Sequence, residues 1–304
     1  MIIRLVYQLA LFILLNRMIK DELVGDLPKI TSYAMTISNF LFGKAVDHSP
    51  KDFVIAGPCA IESEDVLVEI ARTLSRMGIK VLRGGSFKHR TKPYSFSGLG
   101  RAGLQIHSRV ARSFEMLSVS EILDTADIDS FATYIDIFQI GARNMRNYPL
   151  LKAAAAIGKP VILKRDMSAT LYEWLASAEH LLYHGCKQIA LCERGVRWHD
   201  TAFRNLPDFT SMLWIKKYLD VPLIFDPSHA CGRSDLIREL SYASGACGVD
   251  ALMIETHTFP TKALCDAAQA ITPAQLGEIL SDWTMLFSHC RPVQENTHGD
   301  EKIR

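Results

Sequence analysis

Four residues able to ligate a metal, Cys59, His229, Glu255 and Asp266, sit at or just past short apolar runs of the chain. Gly57-Pro58-Cys59 follows Phe53 to Ala56, Asp226-Pro227-Ser228-His229 follows Val221 to Phe225, and Glu255 follows Ala251 to Ile254. A thiol, an imidazole and two carboxylates form a mixed soft and hard set, suited to Mn, Fe, Co, Zn or Cu rather than Mg or Ca. Each alone is ordinary, since a buried cysteine packs as a small apolar residue and a single histidine is commonly hydrogen-bonded. Single cations occupy similar positions: Arg83, Lys88 and Arg90 in one segment, then Arg143, Lys164-Arg165 and Arg194. Crowding them at one place requires an anion, and guanidinium forks bind carboxylate and phosphate bidentately. The chemistry is that of a cation and an anionic substrate sharing one site.

The elements that must position these residues alternate along the chain. Candidate strands are Phe53–Ala56, Val81–Arg83, Glu121–Asp124, Ile137–Ile140, Val161–Lys164, Gln188–Cys192, Leu223–Asp226 and Ala251–Glu255. Between them lie amphipathic stretches such as Val66 to Met77, Leu171 to His184 and Asp208 to Tyr218, apolar at i, i+3 and i+4. Strands such as Val161-Ile162-Leu163 are apolar throughout, as expected when both faces are covered. The pattern predicts an α/β fold, a single (β/α)8 TIM barrel over residues 51–285, in which distant strand C-termini meet at one mouth. A doubly wound sheet competes, but Gly57-Pro58-Cys59 is no dinucleotide-binding turn after the first strand.

Residues 1–50 read as an N-terminal extension without a recognisable domain, and 286–304 as a polar C-terminal tail. Met1 to Leu15 is apolar but shorter than the ~18–20 residues that span a bilayer, and no small-residue cleavage site follows. It reads as a helix packed on the barrel or a partner subunit, or as an over-extended start before Met18 or Met35. No membrane role is expected. The net charge of +1 offers no bulk attraction for nucleic acid. Seven scattered cysteines without a CxxC pair fit a reducing, cytoplasmic setting.

Several segments resemble the 3-deoxy-7-phosphoheptulonate (DAHP) synthases, in the branch closest to 3-deoxy-octulosonate 8-phosphate synthase. They are GPCAIES from Gly57, KHRTKPYSFSGLG from Lys88, IGARNMRN from Ile140, KPVILKR from Lys159, CERG from Cys192, DPSHACGR from Asp226 and MIETH from Met253. The resemblance runs in order from about Phe53 to Leu280. It implies a metal-dependent aldol-type condensation of phosphoenolpyruvate with erythrose 4-phosphate, the entry to aromatic amino acids through the shikimate pathway. It implies Cys59, His229, Glu255 and Asp266 as metal ligands. Arg83, Lys88, Arg143, Lys164 and Arg194 match the phosphoenolpyruvate-binding cations, and Arg90 with Thr91 the holder of the acceptor's phosphate. Lys88 has two candidate roles, proton delivery to the aldehyde oxygen or phosphate binding. Asp226 would position water or orient His229. A homo-oligomer, dimer or tetramer, is also implied.

The pattern departs from the resemblance at four places. His89 stands where a proline is usual, Asp166 and Ala267 where glycines are, and Asp124-Thr125 where Thr-Glu follows the third strand, which would remove a carboxylate from the mouth. These departures keep open the same chemistry on another phosphorylated aldose, such as arabinose 5-phosphate. A non-catalytic barrel is the remaining alternative, disfavoured because every implied ligand and donor-site cation is present. Relatives often carry a regulatory domain before the barrel or a chorismate mutase after it. Neither flank has room for one, so no feedback inhibition by aromatic end products is expected.

Overall fold

The computed structural model describes residues 14–44, 49–90 and 92–290. The expectations for residues 1–13, for Thr91 and for the tail 291–304 lie outside the described residues. Eight parallel strands close in sequence order into a barrel. They are β1 (Val54–Gly57), β2 (Val81–Arg83), β3 (Leu117–Ile122), β4 (Ile137–Ile140), β5 (Val161–Lys164), β6 (Ile189–Glu193), β7 (Leu223–Phe225) and β8 (Ala251–Glu255). Two short helices, α1 (Pro28–Ser32) and α2 (Ile37–Phe42), precede the barrel. The crossovers carry α3 (Glu64–Arg76), α4 (Gly100–Ser113), α5 (Ile128–Tyr134), α6 (Tyr148–Ile157), α7 (Leu171–Tyr183) and α8 (Phe209–Tyr218). The chain continues through α9 (Pro227–Cys231) and α10 (Ile237–Ala246) to α11 (Pro273–Cys290), the last of the described residues.

Local chemistry explains these elements. In α3 the Ser63 hydroxyl accepts from the Val66 amide, Glu64 and Asp65 lie in the first turn, and Leu67, Ile70, Ala71 and Leu74 form the buried stripe. A cap and acidic residues at the helix N-terminus complement its unpaired amides and dipole. Strands β4, β5, β6 and β8 are buried along their whole length, the state of a sheet wall covered by helices outside and packed side chains inside. Closure joins β1 to β8 with Gly57 opposite Glu255. Gly57 is required there: at φ 146°, a Cβ would come 2.1 Å from the Arg83 carbonyl oxygen.

Strand β3 corrects the sequence expectation. It begins at Leu117 rather than Glu121, with Ser118 and Ser120 as buried strand positions. Asp124 lies beyond it and caps a short 3-10 turn, accepting from the Ala126 amide at 2.9 Å. The glycines of the Gly98 to Gly103 run have dinucleotide-loop spacing, but they open α4 instead of following the first strand, and Gly103 packs on Ser86.

The stretch before the barrel is tied to its wall. The Glu179 carboxylate on α7 accepts from the Lys29 and Ile30 amides at the start of α1. Tyr33 Oη accepts from the Ile189 amide at 2.8 Å, and the Met35 amide reaches the Asp220 carbonyl. Residues 14–24 are helical. No helix among the described residues is long and apolar enough to cross a membrane.

Candidate active site

The ends of β1, β7 and β8 bring Cys59, His229, Glu255 and Asp266 together, with one donor atom of each within 4.8 Å of the others. Asp226, directly after β7, caps α9 through the His229 amide at 2.9 Å and accepts from His229 Nδ1 at 2.8 Å. That bond fixes the tautomer and leaves the Nε2 lone pair toward Glu255 Oε1 at 3.4 Å and Asp266 Oδ2 at 3.8 Å. Glu255 is anchored in turn, with Gln269 Nε2 donating to Oε2 at 2.8 Å and Arg83 Nη2 to Oε1 at 3.2 Å.

These residues fit a divalent transition ion. The donors are a sulfur, a nitrogen and two oxygens, and the imidazole has the orienting carboxylate that metal-ligating histidines usually have. Burial would raise Asp226, but His229, Lys164 and Arg83 outweigh it and hold the carboxyl well below its ordinary value. Burial likewise opposes ionisation of Asp266, yet His229 and Cys59 bring it down to about 2. Burial pushes His229 down, so the ring is neutral, the form that ligates. Cys59 is pushed well up by the Cys265 sulfur at 3.1 Å, then by burial and Glu255. A cation held by these four residues would reverse that shift by stabilising the thiolate.

The cations gather around the same mouth. A cavity of about 320 Å³ is lined by Arg83, Lys88, Arg90, Arg143, Lys164 and Arg194, with His229 and Asp266. Some are already matched: Lys164 pairs with Asp226, and Lys88 Nζ lies 3.7 Å from Glu121 Oε2. Burial opposes the Lys88 charge, but Cys59 and Glu121 outweigh it and raise its pKa, so the ammonium stays charged. Others are not matched. Arg194 is 3% exposed and contacts only the Gly195 carbonyl, at 3.4 Å, with no carboxylate partner among the described residues. Burial, then Arg204, lowers its pKa. Arg83 Nη1 is buried without a hydrogen-bond partner.

The structure therefore groups the sequence-chosen residues it describes, Arg165 excepted, and it corrects one inference. The mouth keeps a carboxylate, carried on the third strand itself: Glu121, opposite Gln139 in the β3–β4 register, lines the cavity. The sequence reading missed it because the strand was placed too late. Cys265, Gln269 and Arg204 were also missed; they lie in loops, without periodicity. Arg165, adjacent to Lys164, faces away from the cavity and binds Glu193 at 3.1 Å and Asp208 at 2.8 Å. Asp166 pairs with Arg146 at 3.1 Å, which accounts for a carboxylate at a glycine position.

With this geometry in hand, likeness to known proteins can be judged by more than fold. The DAHP synthetase I family matches residues 45–290. The chain belongs to the DAHP synthetase I family. Phospho-2-dehydro-3-deoxyheptonate aldolase of Thermotoga maritima is 43% identical over 233 residues, 77% of this chain and 69% of that protein. 2-Dehydro-3-deoxyphosphooctonate aldolase of Desulfotalea psychrophila is 31% identical, over 75% of this chain and 87% of its own length. The crystal structure of the Thermotoga enzyme superposes with a TM-score of 0.78 at 38% identity, covering 85% of this chain and 78% of that one. Membership of the DAHP synthetase I family makes the chain a transferase enzyme with a TIM barrel, and likeness to both named aldolases agrees with the branch indicated by its motifs.

Proposed function

We propose that the chain condenses phosphoenolpyruvate with erythrose 4-phosphate, giving 3-deoxy-7-phosphoheptulonate and inorganic phosphate, with a divalent ion on Cys59, His229, Glu255 and Asp266. This is the first reaction of the shikimate pathway. The observation that carries the reading is a buried cation and a buried guanidinium nitrogen left without partners among the described residues beside the four-donor cluster. Among the described residues Arg194 is buried without a carboxylate partner, and Arg83 Nη1 has no hydrogen bond. A buried charge without a counter-ion and a buried N–H without an acceptor are both costly, so both positions favour an anion. A donor with a carboxylate and a phosphate meets both at once.

In this reading Arg83 Nη1 takes the donor carboxylate, and Arg143, Lys164 and Arg194 take its phosphate. They fix carbon 3 of the donor against the aldehyde carbon of the acceptor. When bound, the divalent ion would polarise the aldehyde or lower the pKa of a water. Lys88 Nζ, charged beside Cys59 and Glu121, gives a proton to the aldehyde oxygen as the carbon–carbon bond forms. Positive charge then develops at carbon 2, where water adds before phosphate leaves. Asp226 keeps His229 in the ligating tautomer throughout. The arginines stabilise the departing phosphate. We further place the enzyme in the cytoplasm as a homo-oligomer. The six free cysteines among the described residues support a reducing compartment.

The test is phosphoenolpyruvate consumption by purified protein, stripped with chelator and resupplied with single divalent ions. Erythrose 4-phosphate and arabinose 5-phosphate are assayed side by side. Metal-dependent turnover with the four-carbon sugar is expected. Turnover with arabinose 5-phosphate alone would keep the mechanism and change the acceptor, and no turnover with either sugar would overturn the reading.

A further inference from the structure

Arg204 is a cation of the mouth that the motifs do not name. It lies in the long loop after β6, and its backbone is fixed. Its amide donates to the Cys231 carbonyl at 2.9 Å, and the next amide, of Asn205, donates to Ala230 at 3.0 Å. Asn205 Nδ2 also donates to the His229 carbonyl at 3.1 Å. The Arg204 stem crosses Gly232, where φ is +69° and a Cβ would lie 2.6 Å from Arg204 Cβ. A loop arginine tied this closely to the helix of a candidate metal ligand is held in place, although its side chain is exposed.

Its guanidinium lines the main cavity with Arg90 and Asp266. Nη1 donates to Gln269 Oε1 at 3.0 Å, and the guanidinium has no carboxylate partner among the described residues. Arg90 is placed comparably, with Nη1 donating to Cys265 Sγ at 2.7 Å. The two guanidiniums thus rest on opposite ends of the 265–269 segment, which carries Asp266 between them. Of the donor's cations, Arg83, Lys164 and Arg194 are buried and Arg143 is exposed. An aldose phosphate that turns its aldehyde toward Lys88 and the four-donor cluster directs its own phosphate outward, to the rim.

We propose that Arg204 is a second guanidinium for the acceptor's phosphate, acting with Arg90 to select a phosphorylated aldose. The proposal rests on the reaction proposed above. A phosphate dianion between two guanidinium forks receives charge-assisted hydrogen bonds from both sides, which a neutral sugar terminus does not. Gln269 bonds both Arg204 and Glu255, so a structural role for Arg204 would act through Glu255 and disturb metal retention instead.

Arg204→Gln and Arg204→Lys would be compared with the unmodified enzyme by initial rates, varying erythrose 4-phosphate and phosphoenolpyruvate separately, with metal content by elemental analysis. The expected result for Arg204→Gln is an acceptor KM raised about tenfold to a hundredfold, the range for a lost charged hydrogen bond. Donor KM and metal content should hold, and Arg204→Lys should recover part of the acceptor affinity. An unchanged acceptor KM, or a fall in metal content with acceptor KM unchanged, would overturn the role of Arg204 alone. Absence of turnover by the unmodified enzyme would overturn the reaction itself, and this proposal with it.

Discussion

His89 Nε2 lies 3.2 Å from the side-chain amide nitrogen of Asn144 and must accept from it. The Asn144 amide has no freedom to reverse, because Nδ2 also donates to the Leu123 carbonyl and Oδ1 accepts from Asn147. The His89 carbonyl meanwhile accepts from Arg143 Nη1 at 3.1 Å. The residue at the usual proline position thus latches the loop after β2 to the loop after β4. His89→Pro retains the carbonyl, and removes the imidazole bond together with the backbone N–H. It should change acceptor KM about fivefold, the scale of one neutral hydrogen bond, and leave donor KM alone. Initial rates with each substrate varied would check it. An unchanged acceptor KM and acceptor preference would remove His89 from the acceptor site.

Arg194 should show opposite effects on stability and on binding. Its charge is buried with no carboxylate partner among the described residues, so Arg194→Met should raise the ligand-free melting temperature by about 2–6 °C. The same change should weaken phosphoenolpyruvate about a hundredfold, because the fork meeting the donor phosphate is gone. Melting curves with and without phosphoenolpyruvate read both. A variant that melts lower than the parent would mean that Arg194 supports the fold.

Metal retention should follow the softness of Cys59. Cys59→Ser replaces a soft sulfur with a hard, weakly basic oxygen, so Zn and Cu should be lost more than Mn. Asp266→Asn should weaken all of them. For the parent, an ion at a hundred times its dissociation constant should add about 2.7 kcal/mol of stability. Elemental analysis after equilibration with a metal mixture, with parallel melting curves, would test this. Equal retention in parent and Cys59→Ser would exclude Cys59 as a ligand.

Acid sensitivity should arise partly away from the site. Burial pushes His107, on α4, down to about 4, and Nε2 lies 3.1 Å from the Leu82 carbonyl. Nδ1 is buried without a partner, so the folded protein keeps the ring neutral. The unfolded chain takes up a proton near the ordinary value of 6.5, and the folded state only near 4. Between those values the unfolded state binds more protons, so stability falls as pH falls, by about 3 kcal/mol from this residue. The loss is absent above 6.5 and complete below 4. His107→Gln should flatten that part of the profile in urea titrations at several pH values. An unchanged slope would place the acid sensitivity elsewhere.

Periodicity was enough to find the barrel. Strands covered on both faces are short apolar runs, and helices covered on one face repeat at i, i+3 and i+4, so both patterns survive in the chain. Strands β2, β4, β5 and β8 match the sequence reading residue for residue. Strand β3 does not, because burial of Ser118 and Ser120 depends on neighbours that one segment does not reveal. The ligands and most cations were legible because a parallel barrel turns position at a strand end into position at the mouth. Pairing was not legible. That Glu121 meets Lys88, that Cys265 touches Cys59, and that Arg194 has no carboxylate partner among the described residues are distances between segments far apart in the chain. Only closure of the barrel sets those distances, and with them which charges are neutralised and which are left for a substrate.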